Sequence, residues 1–139
     1  MALIRALSGS SGGGGAGGGL LIEITNPSIF NNISDSSPKT INTDDFSAYT
    51  NVVVYGKYGG VYSYNDRFGS VITDFVRGTK YTVKVSDRSG DTISRNVTFD
   101  ASNNKIIFGN GYYNGSVRND LGWIERIVFF NDSQSITIS

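Results

Sequence analysis

The sequence has no cysteine and no histidine, and only two prolines, one methionine and one tryptophan in 139 residues. Each absence removes some chemistry. Without cysteine there is no disulfide and no thiolate nucleophile; without histidine there is no Ser-His-Asp relay, and the usual zinc ligand sets are gone. An excess of one charge is lacking too. Twelve Lys+Arg balance twelve Asp+Glu, so the electrostatic footprint of a nucleic-acid binder is missing. No stretch approaches about 18 consecutive apolar residues, which excludes a membrane-spanning helix. The opening Met-Ala-Leu-Ile-Arg-Ala-Leu-Ser lacks an apolar core of about 7–15 residues and is not expected to act as a secretory signal.

Glycine is present, but it is localised. Eight of the 18 glycines fall between Gly9 and Gly19. Three zones follow. Residues 1–7 form a short apolar head carrying Leu3, Ile4 and Leu7; residues 8–19 are almost entirely Ser and Gly; the folded body begins at Leu20. A Ser/Gly segment has no side chains to bury and much backbone entropy to lose, so by itself it is a flexible tether. Several copies packed side by side would instead make a close-packed stalk, because glycine lets backbones approach closely. The head is too short to be a stable helix alone. If it acts, it acts by docking. We therefore expect residues 1–19 to be an assembly arm, with Leu3, Ile4, Leu7 and Gly12, Gly13, Gly14 and Gly15 as its anchor, and 20–139 to be a single domain, the natural count for this length.

In the body, apolar residues do not recur with helical spacing, whereas strand patterns are frequent. The predicted strands are 20–25, 51–56, 61–64, 70–75, 79–86, 91–100, 105–108, 123–130 and 135–138. Turn clusters are read at Asp87-Arg88-Ser89-Gly90, Ala101-Ser102-Asn103-Asn104 and Gly109-Asn110-Gly111, and the first two imply an antiparallel meander from residue 79 to 108. Tyr81, Val83 and Val85 alternate with Thr82, Lys84 and Ser86, giving one buried face and one wet face. Asp44-Asp45 before Phe46-Ser47-Ala48-Tyr49 reads as the cap of one helical or 3₁₀ turn. On residues 123–130, Trp123, Ile127 and Phe129 share one face and Ile124, Val128 and Phe130 the other, as in a central strand. The expected fold is all-β: an antiparallel β-sandwich of jelly-roll type with a glycine-rich extended arm, and a small closed barrel as the alternative.

Phosphate-binding motifs do not survive inspection. The glycine run has neither the Lys-Ser/Thr of a Walker loop nor the strand–helix context of a dinucleotide fold. Asp/Asn pairs such as Asn65-Asp66 and Asn119-Asp120 lack the 12-residue ligand pattern of an EF-hand. Neither a metal nor a cofactor is expected. A glycosidase pair drawn from Asp44-Asp45, Asp66, Asp74, Asp91, Asp120 and Glu125 would need two carboxyls converging on one pocket. No spacing in the chain demands that.

Tyrosine is the distinctive residue of the body. Five of the eight, Tyr49, Tyr55, Tyr58, Tyr62 and Tyr64, lie within sixteen positions, among Gly59-Gly60, Asn65, Asp66 and Arg67. A second cluster reads Gly109-Asn110-Gly111-Tyr112-Tyr113-Asn114-Gly115-Ser116. Tyrosine offers wide contact area with few torsions to freeze, and Gly, Ser and Asn supply adaptable hydrogen bonding. The competing reading is packing at the rim of a sandwich, rings inside and hydroxyls wet. As candidate ligand contacts we take Tyr58, Tyr62, Tyr64, Asn65, Asp66, Arg67, Tyr112, Tyr113 and Asn114.

The start Met1-Ala2-Leu3-Ile4-Arg5-Ala6-Leu7-Ser8-Gly9, the glycine run, Thr25-Asn26-Pro27-Ser28, the Phe46-Ser47-Ala48-Tyr49 turn into Val52-Val53-Val54-Tyr55, and Phe108-Gly109-Asn110-Gly111 before a closing apolar strand form one layout. That layout resembles small structural virion proteins of tailed bacteriophages and prophages of Gram-positive gut bacteria. The polar tail, residues 131–139, departs from it. The resemblance implies a non-enzymatic component of the tail, baseplate, fibre or capsid surface, assembled in the bacterial cytoplasm and located in the virion. It implies other virion proteins as partners, a homo-oligomer with a trimer as the expected symmetry, and contact with a host-surface glycan or protein. The alternatives carried beside it are a carbohydrate-binding module using the tyrosine loops and, more remotely, a small glycan hydrolase.

Overall fold

The computed structural model describes residues 19–62 and 64–132. The arm, with Leu3, Ile4, Leu7 and Gly12 to Gly15, and the predicted strand 135–138 lie outside the described residues. Nine strands are found there: β1 (Leu20–Glu23), β2 (Lys39–Asn42), β3 (Asn51–Gly59), β4 (Phe68–Ile72), β5 (Lys80–Arg88), β6 (Asp91–Phe99), β7 (Lys105–Tyr113), β8 (Ser116–Val117) and β9 (Leu121–Phe130). A single 3₁₀ turn, Pro27–Phe30, follows β1. The strands make two antiparallel sheets packed face to face, ordered β1-β9-β3-β4 and β2-β7-β6-β5, with β8 paired to β7. This is an all-β sandwich, and the closed barrel does not form.

The meander read from the turn clusters is β5-β6-β7. Its first turn is tighter than the four-residue link expected: Arg88 pairs with Asp91 across Ser89-Gly90, both at positive φ, the two-residue hairpin whose twist matches the strands. Two elements differ more. In the predicted strand 61–64 the described residues, Val61, Tyr62 and Tyr64, form no strand; β3 instead runs on to Gly59 and ends where Gly59 and Gly60 both take positive φ. Strand β2, Lys-Thr-Ile-Asn, has a single inward apolar residue and so no alternation to detect; its pairing with β7 makes it a strand. Asp45 rather than Asp44 caps the 46–49 segment, its carboxylate accepting the Ser47 amide at 2.8 Å. The segment is a single turn closed by the Tyr49 amide on the Phe46 carbonyl (3.1 Å).

The core lies between the sheets. Phe46 stacks on Phe129 at 4.5 Å, and Phe75 and Phe99 pack around them. At the other end Phe30 meets Phe108 edge-on at 4.9 Å. Strand β9 is central, as expected, but its faces are reassigned by a bulge. Tyr55 pairs with Arg126 and the next residue, Gly56, with Ile124, which leaves Glu125 as the extra residue. Ile124 therefore joins Ile127 and Phe129 in the core, while Trp123, paired with Lys57, is partly buried and packs against it. A smaller apolar cluster of Val53, Tyr55 and Val128, flanked by Leu21 and Phe130, occupies the outer face of the same sheet.

Candidate functional site

The end of the sandwich beyond β3 collects tyrosines from both clusters. Tyr58 arrives on the last turn of β3 and is almost fully buried, whereas Tyr62, in the loop that follows, is 39% exposed. Tyr58 meets Tyr62 and Tyr64 edge-on at 5.2 and 4.9 Å, and Tyr62 and Tyr64 stack with rings 5.4 Å apart. Edge-on and offset arrangements are the ones the ring quadrupole favours. Val61, at the apex of this loop, is 94% exposed.

Charged groups from neighbouring loops frame the rings. The Arg88 guanidinium, at the tip of the β5–β6 hairpin, lies 3.8 Å from the Tyr64 ring centre, a cation–π contact, and pairs with the Asp66 carboxylate at 3.5 Å. Arg118 grips Asp120 with two hydrogen bonds of 3.1 and 3.2 Å. Asp120 first, and the Tyr62 hydroxyl second, hold the guanidinium above its usual pKa; Arg118 in turn holds the Asp120 carboxyl below the ordinary range. Asp91 hydrogen-bonds Tyr113 and raises its hydroxyl pKa. Burial raises that of Tyr58, with Tyr113 and Asp91 adding to it. Both hydroxyls are therefore neutral at pH 7 and able to donate.

The sequence candidates divide cleanly. Tyr58, Tyr62, Tyr64 and Tyr113 converge at this end. Asp66 contributes as the counter-charge of Arg88, while its backbone carbonyl accepts the buried Ser86 hydroxyl. Arg67 turns away to a two-pronged ion pair with Glu125 (2.7 and 3.2 Å), and exposed Asn65 accepts from Arg67 at 3.5 Å. Asn114 is a turn residue: with Gly115 it takes positive φ, and its side chain clamps the Thr92 amide and the Asp91 carboxylate. Tyr112 does not belong to this end. Strand alternation sends it to the other face of β7, where its hydroxyl meets Asn96 at 3.1 Å.

Sequence reasoning missed Arg88 and Arg118 as members of the site. Arg88 sits in a segment whose composition marks only a turn, and Arg118 is separated from Tyr62 by 56 positions, so no local signal joined them to the rings. Trp123 is close by, its indole N–H donating to the Asp120 carbonyl at 2.9 Å. Among the carboxylates considered for hydrolysis, Asp66 pairs with Arg88, Asp120 with Arg118, Glu125 with Arg67 and Asp91 with Asn114; Asp45 accepts from the Ser47 amide, and Asp44 and Asp74 are exposed. Compared with protein-family models, curated proteins and solved structures, the chain has no match.

Proposed function

We propose that this protein is a non-enzymatic structural component of a tailed-bacteriophage virion, attached through residues 1–19 and presenting the tyrosine end of its sandwich to a host-surface glycan or protein. The observation that carries the recognition half is the convergence of Tyr58, Tyr62, Tyr64 and Tyr113, with exposed Val61 and two arginines, at one end of a rigid scaffold. Pre-packed rings with neutral hydroxyls cost little entropy on binding, which is what an adhesive surface needs. The separate pairing of the carboxylates supports a binding rather than a hydrolytic role. The virion half rests on the layout of the chain: an apolar head and glycine arm ahead of a domain without cysteine or histidine.

Two variants separate the halves. A chain lacking residues 1–19 is expected to keep its fold and to be absent from purified particles. Tyr62→Ala together with Tyr64→Ala should incorporate normally while particle adsorption to host cells falls at least tenfold. Normal incorporation of the truncated chain overturns the anchor; unchanged adsorption of the double variant overturns the recognition surface.

A further inference from the structure

On the outer face of the second sheet, remote from the tyrosine end, a cavity of about 250 Å³ opens between the strands and the loop preceding β2. Its floor is a cross-strand row. Lys80 pairs with Thr98, and Thr98 with Ile107, so one residue from each of β5, β6 and β7 stands side by side. Asp35 and Pro38, from the loop, form the wall.

The polar groups are held in place. Asn96 is 1% exposed, and its amide donates to both Asp35 oxygens at 3.1 and 3.2 Å and to the Tyr112 hydroxyl. Its own carbonyl oxygen accepts from Thr82 at 2.6 Å. The Asn110 amide and the Lys80 ammonium add bonds to Asp35 of 2.8 and 3.2 Å. Gly109 makes this possible: a methyl there would collide with the Asp35 carboxylate. The second sheet therefore has a glycine where it must admit an acidic side chain, and a buried amide that fixes its orientation.

The donor and acceptor inventory defines what fits. Asp35 and Lys80 neutralise each other, so neither an anion nor a cation gains net attraction. The ammonium has donors left after its single bond to Asp35. The Thr98 hydroxyl has no hydrogen-bond partner among the described residues, and it can both donate and accept. Ile107 and Pro38 supply apolar surface beside these groups. A neutral ring with hydroxyls on its rim and a C–H face matches this mixture. The volume, below the roughly 300–1,000 Å³ of pockets for drug-sized ligands, suits one such ring.

We propose that this cleft, built by Asp35, Lys80, Asn96, Thr98, Ile107 and Gly109, binds a single neutral pyranose residue. Its hydroxyls bond Thr98 and Lys80, and its C–H face lies on Ile107. The site shares no residue with the tyrosine end and does not depend on the function proposed for it.

Saturation-transfer NMR and amide shift mapping on the full chain, with a panel of neutral hexoses and N-acetylhexosamines, test it. At least one sugar should bind in the millimolar range and shift the amides of Thr98, Ile107 and Gly109. Thr98→Val, which keeps shape and removes the hydroxyl, should raise the dissociation constant at least about fivefold, and Gly109→Ala, which displaces Asp35, should abolish binding. Tyr62→Ala with Tyr64→Ala should leave binding unchanged. Should Gly109→Ala disturb the fold, Thr98→Val decides alone. The proposal is overturned by no saturation transfer from any neutral sugar, by shifts confined to the tyrosine end, by an unaltered constant in Thr98→Val, or by calcium or sialic acid producing the cleft shifts where neutral sugars do not.

Discussion

Arg95 is fully buried on β6, inside the end of the sandwich, and among the described residues no carboxylate is bonded to it. Its guanidinium donates to six backbone carbonyls: Phe30, Ile33, Gly109, Asn119, Leu121 and Gly122. These belong to the 3₁₀ turn, the loop after it, β7, the β8–β9 link and β9, so one side chain ties five segments together. Burial pushes its pKa down to about 10, still far above neutrality, and the side chain stays charged. Arg95→Met should cost at least about 3 kcal/mol, because the carbonyls lose their donors in a dry site. Arg95→Lys should recover only part, having three donors in place of five. Urea denaturation checks both, and a loss below about 1 kcal/mol for Arg95→Met contradicts the role. Alternation along β6 puts Arg95 on the inward face with Ile93, Val97 and Phe99, where an arginine reads as out of place; only the approach of distant carbonyls, which no local pattern announces, satisfies it there.

Elements in this protein end or bend at glycines, for two separable reasons. Gly115 takes φ +86 with no atom near its would-be Cβ, so Gly115→Ala should cost only backbone strain, about 1 kcal/mol. Gly59 also takes positive φ, but there a Cβ would enter the Trp123 indole. Gly59→Ala should therefore cost more than Gly115→Ala, about 1–3 kcal/mol from displaced packing beyond the strain. It should also shift the fluorescence of the sole tryptophan, which Gly115→Ala leaves alone. Equal thermal midpoints for the two variants would show that the ring does not rest on Gly59. The Asn114-Gly115 pair is legible in sequence as a hairpin signal, although its tyrosine neighbours make it read as a binding loop as well. The β9 bulge was not legible. Trp123-Ile124-Glu125-Arg126 does not say which residue is extra, and only pairing with β3 selects Glu125.

Across the whole molecule, the absence of histidine and the state of the carboxyls set the pH response. With no histidine, no side chain of ordinary pKa titrates between about pH 5 and 8. Within the fold, burial opposes ionisation of Asp35, but the bonds from Asn110, Asn96 and Lys80 outweigh it and hold the carboxyl below its usual value. Asp120 is held low by Arg118. Folded pKa values below the unfolded ones give stability that is present above the unfolded pKa of about 4 and lost as pH falls through the folded values. Thermal midpoints should therefore be flat from about pH 5 to 8 and decline below about pH 4. Asp35→Asn should make that decline shallower; an unchanged acid limb would mean that Asp35 is not coupled to folding.

The same scale separates what could be read from what could not. Composition and strand periodicity by themselves determined the class: few helical patterns, short alternating runs and turn clusters about every ten residues leave a sandwich as the economical way to bury one face of each strand. They also located the meander, because its turns are local and their chemistry is written in adjacent residues. Only the tertiary structure decided the rest. β1 with β9, and β2 with β7, pair across most of the described chain. Tyr58, Tyr62, Tyr64 and Tyr113 meet because two strand ends reach the same edge. Asp35 becomes part of a cleft because Gly109, 74 positions away, leaves it room. Backbone conformation depends on neighbours along the chain, whereas burial and side-chain partnership depend on neighbours in space, and for strands joined across two sheets those are different residues.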